Sequence, residues 1–181
     1  PTSQRCSASY VANMSLKGTL SITPKNSNPT TVSFENKLCF FEMNRTYPKF
    51  RSYGEFMVAF GTVNGKPISF RLESKFADGV NPERVNGNVM FYDGEETLFP
   101  PVVITHPYGI NEKWIIQDTE NMIDLTFHPI SDNLNSISVV ALRTVYHSIY
   151  GTFEGTVQTA KGEKILFKSL EGITEKYSNR L

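Results

Sequence analysis

Apolar and polar side chains alternate along much of the chain. Ile68, Phe70 and Leu72 are separated by Ser69 and Arg71, Ile123, Leu125 and Phe127 by Asp124 and Thr126, and Phe153 and Val157 stand opposite Thr152, Glu154 and Thr156. A period of two puts one set on a dry face and the other on a wet one, as in antiparallel strands with one buried side. Residues 56–62 and 67–72 flank Asn64-Gly65, and 89–92 and 96–99 flank Asp93-Gly94. These dipeptides supply the positive φ angles of tight hairpin turns. Two further hairpins are predicted over 114–117 with 122–127 and over 152–159 with 163–167, the second around Ala160-Lys161-Gly162. Near the start, 15–23 and 31–41 enclose a loop bounded by Pro24 and Pro29 that no helix could cross. Residues 136–150 read as the longest strand, with Gly151 and Gly155 placed to bend it sharply. Helical spacing occurs only at 169–177, where Leu170, Ile173 and Tyr177 share a stripe, Ser169 is a cap and Gly172 opposes the helix.

Composition agrees with a folded β domain. The chain has 181 residues, enough for one domain over 1–181, with 12% aromatics and 20% charges. Eighteen basic residues balance eighteen acidic ones, so no net field draws the whole molecule to nucleic acid or to an anionic membrane, and a partner must be recognised locally. No apolar run approaches the roughly 18 residues of a membrane helix. Cys6 and Cys39 match no metal-ligand spacing; packed free thiols are the expectation, and a single bridge stays open. Two glycosylation-type triplets, at Asn13 and Asn44, are short enough to arise by chance, and the expectation is a soluble protein, in the cytoplasm rather than secreted.

Candidate chemistry is sparse. There is no hydrolase elbow, phosphate-binding loop or dinucleotide fingerprint, and His106, His128 and His147 lie too far apart in sequence for a metal site, so neither cofactor nor metal is implied. Glu42 directly follows an apolar strand, and His147 sits late in the long one, where a polar ring inside a barrel can orient a ligand or move a proton; these two are the candidate catalytic residues. Arg45, Tyr47, Trp114, His128 and Arg180, at strand ends or starts, are candidate ligand contacts. Lys49 and Arg51 among Tyr47, Phe50 and Tyr53 form too small a basic and aromatic cluster for nucleic acid.

The stretches FGTVNGKPISFRLESKFADG, NGNVMFYDG, IDLTFHPI, HSIYGTFEGTVQTAKGEKI and LEGITEKYSNRL resemble an uncharacterised lipocalin-like family whose hallmark is DWGRG, itself distantly similar to carotenoid hydratases and tocopherol cyclases. Where that family has DWGRG, this chain reads Glu42-Met43-Asn44-Arg45-Thr46, keeping an acid and the arginine but not the tryptophan or the glycines, and it closes on Asn179-Arg180-Leu181 in place of Asn-Arg-Trp. The resemblance implies the later portion of a longer, two-unit protein. The expected fold is all-β, an antiparallel meander closing into a lipocalin-like (calycin-type) barrel with a short C-terminal helix. A barrel of about eight strands has room for one small ligand. The leading reading is therefore a binding module for a small apolar, lipid or isoprenoid-like ligand. The alternatives are a hydratase, cyclase or isomerase type of enzyme, and a non-catalytic structural or assembly subunit with a protein partner. An open interior favours the first two and a filled one the third.

Overall fold

The structure, a computed structural model, describes residues 6–46, 50–74, 86–140 and 142–180, the side chains of 6–9 and 44–46 excepted. Among these residues every helix or strand element is a strand. Strands β1 (Cys6–Ile22) and β2 (Thr30–Thr46) form an antiparallel hairpin that is a sheet of its own. The remaining strands are β3 (Arg51–Val63), β4 (Lys66–Glu73), β5 (Val89–Tyr92), β6 (Glu95–Leu98), β7 (Val102–Thr105), β8 (Trp114–Asp118), β9 (Ile123–Val139), β10 (Leu142–Gln158) and β11 (Lys164–Arg180). They build one nine-stranded sheet in the order β6-β5-β4-β3-β11-β10-β9-β8-β7. Every neighbouring pair is antiparallel, and β11, last in the chain, fills the centre between β3 and β10.

The predicted hairpins are present. Asn64 and Gly65, and Asp93 and Gly94, all have positive φ at the β3-β4 and β5-β6 turns, as the turn dipeptides require. The large sheet curls into a half-barrel. Its inner face is one apolar cluster that includes Met57, Phe70, Trp114, Phe127, Ile149 and Phe153, each with no exposed surface. The rings interlock: Phe70 meets Phe153 edge-on at 5.2 Å, Phe153 lies 4.6 Å from Phe127, and Phe127 meets Trp114 edge-on at 6.2 Å. This aromatic chain joins β4, near one edge, to β8, near the other.

Two expectations are corrected. Residues 169–177 are not a helix but the middle of β11, bonded to β3 on one side and β10 on the other. The helical stripe loses to pairing on both edges: Leu170, Gly172 and Thr174 are buried on the inner side, while Ile173, Glu175 and Tyr177 stand on the outer. The glycine that opposed the helix is needed by the sheet, since a side chain at Gly172 would run into the Val58 carbonyl and the Phe153 ring. Nor is 136–150 one strand: β9 ends at Val139, which pairs with Leu142 of β10, and Val140 at the turn has a φ of +49°. Its sequence, with none of the usual turn residues, hid the reversal. For Cys39 the expectation of a free thiol holds, and the alternative of a bridge is closed by the register, which sets Cys6 opposite Thr46 and Cys39 opposite Met14. At about 3.3 Å per residue that separation exceeds the reach of a disulfide, and Cys39 is free.

The predicted bends at Gly151 and Gly155 coincide with slips in register, against β9 at Tyr150/Gly151 and against β11 at Phe153/Gly155. Gly155 has a φ of +130°, outside the range of ordinary side chains. Substituting Gly172→Ala overpacks the centre of the sheet and lowers unfolding stability by about 1–3 kcal/mol, measured as a drop in the urea midpoint at unchanged slope.

Candidate functional site

The pleat that sends Phe70 and Leu72 inward sends Arg71 and Glu73 outward. On that outer face the register lines up Arg71, Val58, Ile173 and Tyr150 in one row across β4, β3, β11 and β10. The next row holds Glu73, Phe56, Glu175 and Ser148, and beyond it Gly54, Tyr177 and Tyr146. Surface positions on an isolated sheet would be wet. Here Glu42 of the β1-β2 hairpin reaches Arg71, which is only 4% exposed.

Arg71 donates from Nε to Glu42 Oε1 at 2.9 Å, pairs through Nη2 with Glu73 Oε2 at 2.8 Å, and donates from Nη1 to the Gly87 carbonyl at 3.3 Å. Its guanidinium lies 5.3 Å from the Tyr10 ring centroid and 5.4 Å from that of Phe56. Buried Asn88 fixes this end of β4, accepting from the Glu73 backbone N–H at 2.7 Å and donating to the Pro100 carbonyl at 3.0 Å. Gly54 leaves room for the Tyr177 phenol, which a side chain there would strike.

Two carboxylates therefore pair with one guanidinium, and Glu175 stands in the adjoining row. Burial opposes the charge of Arg71, and Glu73 and Glu42 outweigh it, raising the Arg71 pKa. Glu175 is pushed above the usual carboxylate range, first by burial and then by the charge of Glu42, against a hydrogen bond from Tyr146 and the charge of Arg71. Tyr146, hydrogen-bonded to Glu175, is raised by burial and by that carboxylate, and Tyr177 by burial and by Glu73. The outcome is a carboxyl that keeps its proton to higher pH than a free glutamate, beside two phenols that do not ionise in the physiological range.

Of the residues singled out from sequence, Glu42 lies in this cluster. His147 does not: it is on the opposite face of β10 from Tyr146, with Nδ1 2.8 Å from Asp132 Oδ2. On that inner face, opposite Lys176 in register, His147 neighbours a second polar group, in which Lys176 contacts Glu55 and lies 2.8 Å from His106 Nε2. Trp114 is at the floor of this group, 4.6 Å from the His106 ring, its indole N–H donated to the Ile110 carbonyl at 2.8 Å. His128 is exposed and 2.9 Å from Glu154, and Arg180 ends β11 opposite Arg51 and Arg143. The backbone of Arg45 lies on β2 opposite Ser7; its side chain and all of Tyr47 fall outside the described residues. Arg71, Glu73, Tyr146 and Glu175 were missed because each occupies the polar slot of an alternating strand, and the sequence carries no local sign of the hairpin that covers them. Among the described residues no three metal-ligating side chains converge.

A curled half-barrel is a shape compatible with a ligand cavity. Here its aromatic centre is filled by side chains, and a cleft of about 190 Å³ beside Pro129–Asp132 and a groove of about 270 Å³ between Tyr92 and Thr159 lie at the surface. The molecule is thus an all-β protein built on a curled antiparallel sheet, with a polar cluster between that sheet and a separate hairpin. The chain belongs to the family described as a domain of unknown function (DUF2804), which it matches over residues 9–181. No curated protein and no solved structure matches it. No helix among the described residues is long and apolar enough to cross a membrane.

Removing the guanidinium leaves its carboxylates buried without a counter-charge, so Arg71→Met lowers stability by about 3–5 kcal/mol, read by urea unfolding at neutral pH. Glu175 makes the stability depend on pH. Its folded pKa is raised, so the stability it contributes is complete below the unfolded value of about 4.3 and is lost as pH rises through the folded one. Glu175→Gln removes that loss: relative to the parent, the variant gains stability as pH rises from about 4.3 through the raised folded value. A difference between the two proteins that does not vary with pH contradicts the assignment.

Proposed function

We propose that this domain is a ligand-binding module of the lipocalin-like kind that grips a small, mostly apolar molecule by one neutral polar end at the Arg71 cluster. The observation that carries the reading is the row on the outer face, in which the buried guanidinium of Arg71 runs directly into Val58, Ile173 and Tyr150. Ile173 is 42% and Tyr150 39% exposed, so an apolar track leads away from a polar socket. Against Glu42 and Glu73 there is one Arg71, and a carboxylate ligand meets repulsion. A hydroxyl or carbonyl oxygen instead accepts from the phenol hydroxyls, and a ligand hydroxyl donates to a carboxylate of the cluster. An isoprenoid or long-chain alcohol or ketone has that form, in keeping with the distant hydratase and cyclase cousins implied by the resemblance. The filled aromatic centre argues against a ligand inside the curl and by itself suits a structural or assembly subunit; the exposed row on the outer face is what supports binding there.

Retinol, a fluorescent isoprenoid alcohol, is a direct probe. Saturable binding is expected, weaker by about tenfold or more for retinoate, the matching carboxylate, and for Ile173→Asp, which sets a charge in the apolar track. Absence of saturable retinol binding, or equal affinity for the acid, overturns the reading.

The raised pKa of Glu175 favours a second reading, in which the same carboxyl gives its proton to a double bond, as hydratase, cyclase or isomerase chemistry requires. Incubation with geraniol in D2O then incorporates deuterium at carbon, and Glu175→Gln abolishes it. No incorporation by the parent protein leaves binding alone.

A further inference from the structure

We propose that the polar group on the inner face, where the strands extend beyond the aromatic core, is a proton-transfer site in which His147 is the base and Lys176 the electrophile for a small hydroxy-carbonyl compound. Register lines up Glu55, Lys176, His147 and Leu134 in one row across β3, β11, β10 and β9, and the row below it holds Met57, Thr174, Ile149 and Asp132. Asp132 thus sits diagonally below His147, with Oδ2 2.8 Å from His147 Nδ1. A carboxylate only accepts, so Nδ1 carries the proton and Nε2 keeps its lone pair, the orientation of a general base. Lys176 is the cross-strand neighbour of His147, at a position where Cβ atoms are about 4.5–5.5 Å apart. Its ammonium contacts Glu55 and lies 2.8 Å from His106 Nε2, which the turn after β7 brings across the curl. Those contacts use two of its three protons, and the third is left for a ligand oxygen.

The group has more than an ion pair tying strands together would need. Its side chains are sheltered yet reachable, 19% exposed at His147 and 35% at Lys176. Below it Trp114, 4.6 Å from the His106 ring, closes the floor against water. Thr174, one row down, is fully buried and its hydroxyl has no partner among the described residues, a cost that a valine of the same shape would avoid. Asp132 also stands in the wall of the cleft of about 190 Å³, below the roughly 300 Å³ at which sites for drug-sized ligands begin. A polar compound of a few carbon atoms is the fit. With its carbonyl oxygen on Lys176 and the adjacent C–H at His147, Nε2 takes the proton, the C–H electron pair forms the C=C bond of an enediolate, and the carbonyl π pair moves onto the oxygen held by the ammonium. Return of a proton to the same carbon restores the compound; delivery to the neighbouring carbon, with the hydroxyl proton passing to the other oxygen, interconverts ketone and aldehyde. Nothing is oxidised or reduced overall. The group lies on the face of the sheet opposite the Arg71 cluster and does not depend on the ligand reading.

The test is proton NMR of dihydroxyacetone in D2O with the full chain. Loss of the C–H signal is expected to be faster than with free lysine and imidazole at the same concentrations. His147→Gln, whose amide keeps a hydrogen bond to Asp132, unfolds at the urea midpoint of the parent and exchanges about 100-fold more slowly. Asp132 is a positioning residue: Asp132→Asn lets the ring proton move to Nε2, seen in the 15N shifts of His147, and the exchange slows with it. Exchange no faster than with the free amine and imidazole, equal rates for the parent and His147→Gln, or a parent ring protonated at Nε2 and bare at Nδ1 overturns the proposal.

Discussion

The contact between Arg71 and Glu42 ties together the two sheets of this protein. A two-stranded hairpin standing alone is at best marginally stable in water, and most side chains of β1 and β2 are exposed. Where the hairpin meets β4 of the curled sheet it presents a carboxylate, and the sheet answers with a guanidinium held between an aromatic ring of each, Tyr10 and Phe56. The same contact shields Glu175, Tyr146 and Tyr177, and their shifted proton affinities follow from that shielding. Without the hairpin this face would be an ordinary wet surface.

Strand periodicity explains why the chain carries two polar groups rather than one. On β3, β11 and β10 the adjacent residues Glu55 and Phe56, Glu175 and Lys176, and Tyr146 and His147 point to opposite faces. The outer set joins Arg71 under the hairpin, and the inner set meets His106 and Asp132 above the aromatic centre. Below this level the inner face is apolar except at buried Thr174, which lies in register between Met57 and Ile149, and it continues down to Phe153 and Phe70. The curled sheet is therefore solid where its strands are closely packed and polar where they extend beyond the core.

How much was legible in the sequence depended on the range of the interaction. Hairpins closed by Asn64-Gly65 and Asp93-Gly94 were readable because a positive φ is a local demand met by particular residues. The β9-β10 turn was not, because Val140 adopts the same kind of φ without the residue type that announces it. The stretch 169–177 had a helical stripe, but hydrogen bonding on both sides by β3 and β10 decided its state, and such pairing leaves no local trace. Glu42 stood out by its position after an apolar strand, whereas Arg71, 29 residues further on, looked like any solvated residue of an alternating strand. Its burial comes from a hairpin that the sequence does not show folding over it. The family was recognisable from extended stretches of similarity, and the match over 9–181 bears this out.

The account rests on Glu42 and Arg71 interacting across the hairpin-sheet junction, which a double-mutant cycle measures without reference to any ligand. Unfolding free energies of the parent, Glu42→Gln, Arg71→Met and the double variant should yield a coupling energy of about 1–3 kcal/mol, with the double variant more stable than the sum of the single losses implies. Additive losses, with a coupling indistinguishable from zero, would mean that the hairpin is not held by this pair and would contradict the site built on it.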